Sequence, residues 1–171
     1  MIRGLVLAGG KSSRFGSDKA LALYEGVRFL ERAVSLLREL DLGPIVVTRQ
    51  GVDYPFIKCA TLQDIFPDRG PLGGIYTAMT VFKNTAFLVL TCDMPALTRS
   101  ALFGLLVQHK PRCPITAYRA EDGRVQPFPA IYEPSLLGVI HKKIGTKRFI
   151  NAWFVRGSFC KKNYSLGRRP S

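Results

Sequence analysis

Short apolar runs along the 171-residue chain alternate with segments whose apolar residues recur at helical spacing. Such alternation points to an α/β fold on a mainly parallel sheet, where strands are buried on both faces and each connecting helix buries one. Leu5-Val6-Leu7-Ala8 reads as the first buried strand. Phe29, Leu30, Ala33, Leu36, Leu37 and Leu40 share one helical face, with Glu31, Arg32, Arg38 and Glu39 on the other. Gly43-Pro44 stops that helix, and Ile45-Val46-Val47-Thr48 forms the next strand. After a loop rich in Pro and Gly come a helical stripe of Ile75, Ala78, Met79 and Phe82 and a buried strand from Ala86 to Thr91. Thr98 is placed to cap a helix carrying Leu102, Leu105 and Leu106. Strands from Ile115 to Tyr118 and from Phe128 to Tyr132 flank a turn at Asp122-Gly123. Pro134 opens a helix with Leu136, Leu137 and Ile140, and Phe149, Ile150, Trp153 and Phe154 form one more amphipathic helix. The expectation is a single-domain, three-layer α/β/α sandwich with a mostly parallel, Rossmann-like sheet over residues 1–156. Residues 157–171 read as a basic, mobile terminus.

Composition adds little to this but excludes several classes. With 47% apolar and 22% charged residues the chain is an ordinary globular protein. No uncharged apolar stretch is long enough for a membrane span, and the five-residue apolar run near the N-terminus is too short for a signal peptide. A cytoplasmic location follows as an expectation. Cys59, Cys92, Cys113 and Cys160 form no CxxC and His109 and His141 no ligand spacing, so a zinc site is disfavoured and each cysteine reads as a structural thiol. Neither histidine lies beside a nucleophile motif, which argues against Ser/His/Asp catalysis.

The net charge of +13 would ordinarily point to a polyanionic partner. Its distribution says otherwise. Residues 142–171 carry nine basic side chains and no acid, while the other 141 residues carry sixteen basic and twelve acidic ones, a net of +4. The body is mildly basic and the tail is the anomaly. No nucleic-acid recognition motif accompanies that tail, so nucleic acid is not the expected partner.

Three segments carry candidate chemistry. LAGGKSSRFGSDKAL, from Leu7 to Leu21, follows a buried strand, the position at which open α/β sheets bind ligands. Gly9, Gly10 and Gly16 permit close backbone approach, Ser12 and Ser13 add donors, and Lys11, Arg14 and Lys19 bring positive charge for phosphate. The spacing fits neither GxGxxG nor GxxxxGK[ST], against both a dinucleotide Rossmann site and a Walker loop. In the second, LTCDMPAL, Asp93 lies just past the strongest strand, able to reach the same crevice and anchor Mg²⁺ together with substrate phosphates. In the third, DIFPDRGPLGGI, Gly70, Gly73 and Gly74 bracket Pro71-Leu72 before a helix, and Asp64, with Asp68 a weaker choice, can accept hydrogen bonds from a ribose or base edge.

Together these segments resemble the molybdenum cofactor guanylyltransferase family, in order and over most of the chain from Leu5 to about Tyr132. LAGGKSSRFGSDKAL looks like the family's nucleotide signature, DxxxxxGPLGG its second loop, TCDMP its metal motif and QPFPAIY its later acceptor-side strand. The resemblance implies a nucleotide-diphospho-sugar transferase-like fold and a reaction joining GMP from GTP to the terminal phosphate of molybdenum-loaded molybdopterin, with release of pyrophosphate. It places the backbone of Leu7, Ala8 and Gly9 at the guanine, Lys19 on the nucleotide, Asp64 on the nucleoside and Mg²⁺ on Asp93, with Arg14 and Lys19 sharing the charge stabilisation. Thr48 falls where the family often has an Asn near the base, and Gly10, Gly70 and Gly74 complete the nucleotide set. LAGG, as opposed to LAAG, resembles the guanylyl branch over the cytidylyl one. The alternatives are a nucleotidyltransferase for another base or acceptor, such as a cytidylyl or sugar-phosphate enzyme, and a non-catalytic nucleotide- or pterin-binding carrier.

The tail departs from the family, whose relatives end with an NINTP-like segment in place of NAWFVRGSFCKKNYSLGRRPS. Either a basic ending meets the anionic pterin phosphate or a protein of cofactor biosynthesis or delivery, or an altered terminus has replaced the usual one and weakened acceptor binding.

Overall fold

The structure, a computed structural model, describes residues 1–9, 18–67 and 69–144. The amphipathic helix expected around Phe149 to Phe154 and the terminus at 157–171 lie outside the described residues.

Among the described residues six strands make one sheet: β1 (Ile2–Leu7), β4 (Ile45–Thr48), β5 (Ala60–Gln63), β6 (Ala86–Thr91), β7 (Ile115–Arg119) and β8 (Val125–Tyr132). Their order is β5-β4-β1-β6-β8-β7. β5, β4, β1 and β6 run parallel, whereas β8 pairs antiparallel with β6 and with β7. β2 (Leu23–Tyr24) and β3 (Val27–Arg28) form a separate small hairpin. The α-helices among the described residues are α1 (Phe29–Arg38), α2 (Pro71–Val81), α3 (Arg99–Gln108) and α4 (Leu137–Ile144).

Successive strand side chains point to opposite faces, and this sorts the core into two layers. Leu5, Leu7, Ile45, Val47, Phe87 and Val89 meet Ile75 and Met79 of α2 and Ile140 of α4. The intervening Val6, Val46, Leu88 and Leu90 meet Leu30, Val34 and Leu37 of α1 and Leu102 and Leu105 of α3. The expected three-layer α/β/α sandwich with a mostly parallel sheet is present. Thr98 caps α3, its hydroxyl accepting from the Ala101 amide at 3.3 Å. The 115–132 turn falls at Gly123, whose φ of +83° suits glycine.

Two elements depart from the sequence reading. The stretch expected to be loop before α2 contains β5, an edge strand with only Leu62 turned partly inward. The β2–β3 hairpin turns at Glu25-Gly26, both at positive φ. Neither histidine serves the sheet's C-terminal edge. The His109 side chain is 6% exposed, with Nε2 2.8 Å from Glu133 Oε1 and Nδ1 3.0 Å from Thr116 Oγ1, and His141 Nδ1 lies 2.8 Å from the Tyr76 hydroxyl. Cys59 and Cys92 are free thiols, while Cys113 is disulfide-bonded, unlike the thiol expected at every cysteine. Among the described residues no helix is long and apolar enough to cross a membrane.

Candidate active site

From β1 the chain crosses to β4 and β5 on one side, and later to β6 on the other, so the connections diverge between β1 and β6. At such a switch point the loops leaving adjacent parallel strands part, and a crevice opens at the strands' carboxyl ends. Here Leu7 pairs with Thr91 at the last register position of the two strands. A cleft of about 690 Å³ opens just beyond them. β1 contributes Leu7 to its wall, followed by Ala8 and Gly9; β4 contributes Val47 and Thr48, followed by Arg49 and Gln50. Thr91 at the end of β6 is followed by Cys92 and Asp93; the segment before α2 supplies Asp64, Pro67 and Gly70, and the first turn of α2 Pro71 and Gly74.

Asp18 and Lys19 complete the wall. Lys19 begins a 3₁₀ turn, Lys19–Leu21, capped by Asp18 Oδ1, which accepts from the Ala20 amide at 3.0 Å. Across 74 positions of sequence, Lys19 Nζ donates to Asp93 Oδ2 at 3.0 Å, with both side chains about two-fifths exposed. Burial alone would raise the Asp93 pKa. Hydrogen bonds from Lys19 and Thr91, with the Lys19 charge, outweigh it and hold the carboxyl below its usual value, so Asp93 is an anion at neutral pH. Arg32 of α1 supports the loop beyond, its Nε donating to the Pro95 carbonyl at 2.7 Å.

The third segment is braced by its own aspartate. Asp64 Oδ1 accepts from the Phe66 amide at 2.8 Å and lies 3.2 Å from the Thr77 hydroxyl, which sits on α2. Gly70 has φ +58° and ψ −153°, a conformation reserved for glycine, and sets Pro71 at the first position of α2. The close approach that the next two glycines permit is to protein. A Cβ at Gly73 would fall 2.6 Å from the Phe66 carbonyl, and one at Gly74 2.8 Å from Leu7 Cδ2. Gly74 nonetheless reaches the cleft wall.

Of the residues singled out in the sequence, Leu7, Ala8, Gly9, Lys19, Thr48, Asp64, Gly70, Gly74 and Asp93 all face this one cleft. Gly10, Arg14 and the rest of residues 10–17, and Asp68, lie outside the described residues.

Residues 4–156 match the MobA-like NTP transferase domain. The chain belongs to that family. A protein of Flavobacterium johnsoniae named "Probable molybdenum cofactor guanylyltransferase" is 31% identical over 139 residues, 81% of this chain and 72% of that protein. The molybdenum cofactor guanylyltransferase of Xanthomonas euvesicatoria is 39% identical over 111 residues, 64% of this chain and 56% of that one. In fold, the chain is similar to molybdopterin-guanine dinucleotide biosynthesis protein A of Archaeoglobus fulgidus, with TM-score 0.73, 21% identity and coverage of 97% and 84%. It is similar also to 2-C-methyl-D-erythritol 4-phosphate cytidylyltransferase of Thermus thermophilus, with TM-score 0.63, 14% identity and coverage of 95% and 88%.

Several cleft residues of this NTP transferase domain carry no sequence signal of their own. Asp18 lies within the first motif but looks like a spacer before Lys19. Arg49 and Gln50 follow β4 without any motif. Cys92 reads as a structural thiol, and its environment keeps it a thiol: burial, then the Asp93 and Asp18 charges, push its pKa up to about 11. It is therefore no nucleophile at neutral pH.

Proposed function

We propose that this NTP transferase domain moves GMP from GTP to the terminal phosphate of molybdenum-loaded molybdopterin, with pyrophosphate leaving. The observation that carries the reading is the Lys19–Asp93 pair, 3.0 Å apart, in the switch-point cleft of a chain whose relatives bear the guanylyltransferase name.

The attacking phosphate is ionised before it arrives, so the reaction needs no strong base. It needs orientation and relief of growing negative charge at the α-phosphorus and its leaving oxygens. In this reading Leu7, Ala8 and Gly9 present backbone to the guanine, with Thr48 beside them. Asp64, Gly70 and Gly74 border the nucleoside. Lys19, a compact charge on a flexible stem, meets the phosphates. Arg14 and Gly10 keep their roles on the sequence alone.

The described part of the cleft carries Lys19 and Arg49 against Asp18, Asp64 and Asp93. A triphosphate adds further negative charge, so a cation suits this wall. Asp93, ionised and partly exposed, is the oxygen donor Mg²⁺ favours, with water and phosphates completing its shell. When bound there, Mg²⁺ would act as a Lewis acid on phosphate oxygens.

Thermal melting with GTP or CTP, each with Mg²⁺, tests the base. A nucleotide at 100 times its dissociation constant adds about 2.7 kcal/mol, which is roughly 5–11 °C for a domain of this size. Stabilisation by CTP and not by GTP defeats the guanine assignment. Pyrophosphate release on adding molybdenum-loaded molybdopterin tests the acceptor; intact GTP binding with no release leaves a carrier.

A further inference from the structure

Tyr54 follows β4, is only 4% exposed and packs edge-on against Phe56, with ring centroids 5.8 Å apart. A phenylalanine would pack there equally well, so the hydroxyl calls for a separate account. It donates to Asp18 Oδ2 at 2.6 Å, with the Ala8 carbonyl 3.4 Å away. A hydroxyl has one hydrogen, and the shorter contact takes it. Burial first, then Asp18, raises the phenol's pKa, so it remains a donor. Asp18 uses its other oxygen on the Ala20 amide. Among the described residues, two further backbone bonds hold the turn so capped, Leu21 N to Asp18 O at 3.0 Å and Ala22 N to Lys19 O at 3.2 Å. Three residues of 3₁₀ helix are weak by themselves and take their direction from the cap.

We propose that Tyr54 is a positioning residue for nucleotidyl transfer: by holding the Asp18 carboxylate it fixes the turn that aims Lys19 into the cleft. The inference rests on the reading of that cleft as a nucleotidyl-transfer site. Among the described residues, the Tyr54 hydroxyl meets the cleft wall at Asp18 and the Ala8 backbone.

The test uses the full chain with Tyr54→Phe, Asp18→Asn and both together. The carboxamide introduced by Asp18→Asn keeps an oxygen for the Ala20 amide but replaces the charged acceptor facing Tyr54 with an amino group, so the charge-assisted bond is lost. Losing a hydrogen bond to a charged group should speed exchange of the Ala20 to Ala22 amides roughly tenfold or more in Tyr54→Phe. Amides of β4 and β6 should keep wild-type protection. With GTP, kcat should fall about tenfold, KM should stay within about twofold, and the double variant should be no worse than the poorer single one. Wild-type exchange at Ala20 to Ala22 in Tyr54→Phe, or losses that multiply in the double variant, would overturn the proposal. If the wild-type chain itself neither binds GTP nor releases pyrophosphate, the functional reading fails, and amide exchange alone still decides whether Tyr54 holds the turn.

Discussion

Gly73→Ala puts the packing beside the cleft to a numerical test. The new Cβ would lie 2.6 Å from the Phe66 carbonyl oxygen and 2.8 and 3.0 Å from the two Asp64 carboxylate oxygens, where ordinary contact begins near 3.4 Å. Neither neighbour can step aside cheaply. The carbonyl is backbone, and the carboxylate is tied to the Phe66 amide and faces Thr77. Overpacking of this kind costs about 1–3 kcal/mol, and moving backbone puts it in the upper half of that range. Alanine recovers about 1 kcal/mol over glycine within a helix, leaving a net loss of about 1–2 kcal/mol. At about 2–4 °C per kcal/mol, the melting temperature should fall by roughly 2–8 °C. Because Asp64 must shift, GTP affinity measured by calorimetry should fall as well. Gly138→Ala is the control, since a Cβ there meets nothing within 4 Å and α4 should gain about 0.5–1 kcal/mol. If Gly73→Ala melts at or above wild type while Gly138→Ala behaves as expected, the contact between α2 and the Asp64 loop is not as described.

Other expectations follow from the same cleft. Lys19→Ala and Asp93→Asn should each lower turnover by roughly 10²–10³, with melting temperatures near wild type because both side chains are partly exposed; near-normal steady-state rates would remove that residue from the reaction. Cys92, with its pKa near 11, and Cys59, raised above 9.0 chiefly by burial with Arg38 opposing, should both remain thiols at pH 8. Their alkylation by iodoacetamide, followed by peptide mass spectrometry, should be slower than that of free cysteine and accelerate only at higher pH; fast labelling at pH 8 would contradict the burial described. His109→Ala should destabilise the fold by about 1–3 kcal/mol in chemical denaturation, because it strips Glu133 of a partner in a largely buried setting.

What the sequence reveals of this fold tracks how strongly each element is buried. Ile45–Thr48 and Ala86–Thr91 are packed from both faces, so their apolar runs mark them to the residue. Ala60–Gln63 sits at the sheet's edge, mostly exposed, and has no alternation to read. The hairpin at Glu25-Gly26 lacks the Asn-Gly or Asp-Gly signal, since Glu25 takes the positive φ usually left to Asn or Asp. At the site, the glycines, Lys19 and Asp93 are legible because loops after buried strands concentrate ligand chemistry. The bracing of Asp18 by Tyr54 is not, because a contact across 36 residues leaves no mark on local pattern. Gly73 and Gly74 are visible as glycines, but whether their room goes to ligand or to protein is a matter of three-dimensional packing.

The placement of β1 between β4 and β6 also has a bearing on how the protein is made. One flank of β1 can zip to Ile45–Thr48 early, but the other waits for Ala86–Thr91, some 84 positions downstream. A nascent polypeptide emerging from the ribosome must therefore carry an apolar segment with one open side until that later stretch appears. Such long-range closure is slow and leaves the growing chain open to mispairing with its neighbours.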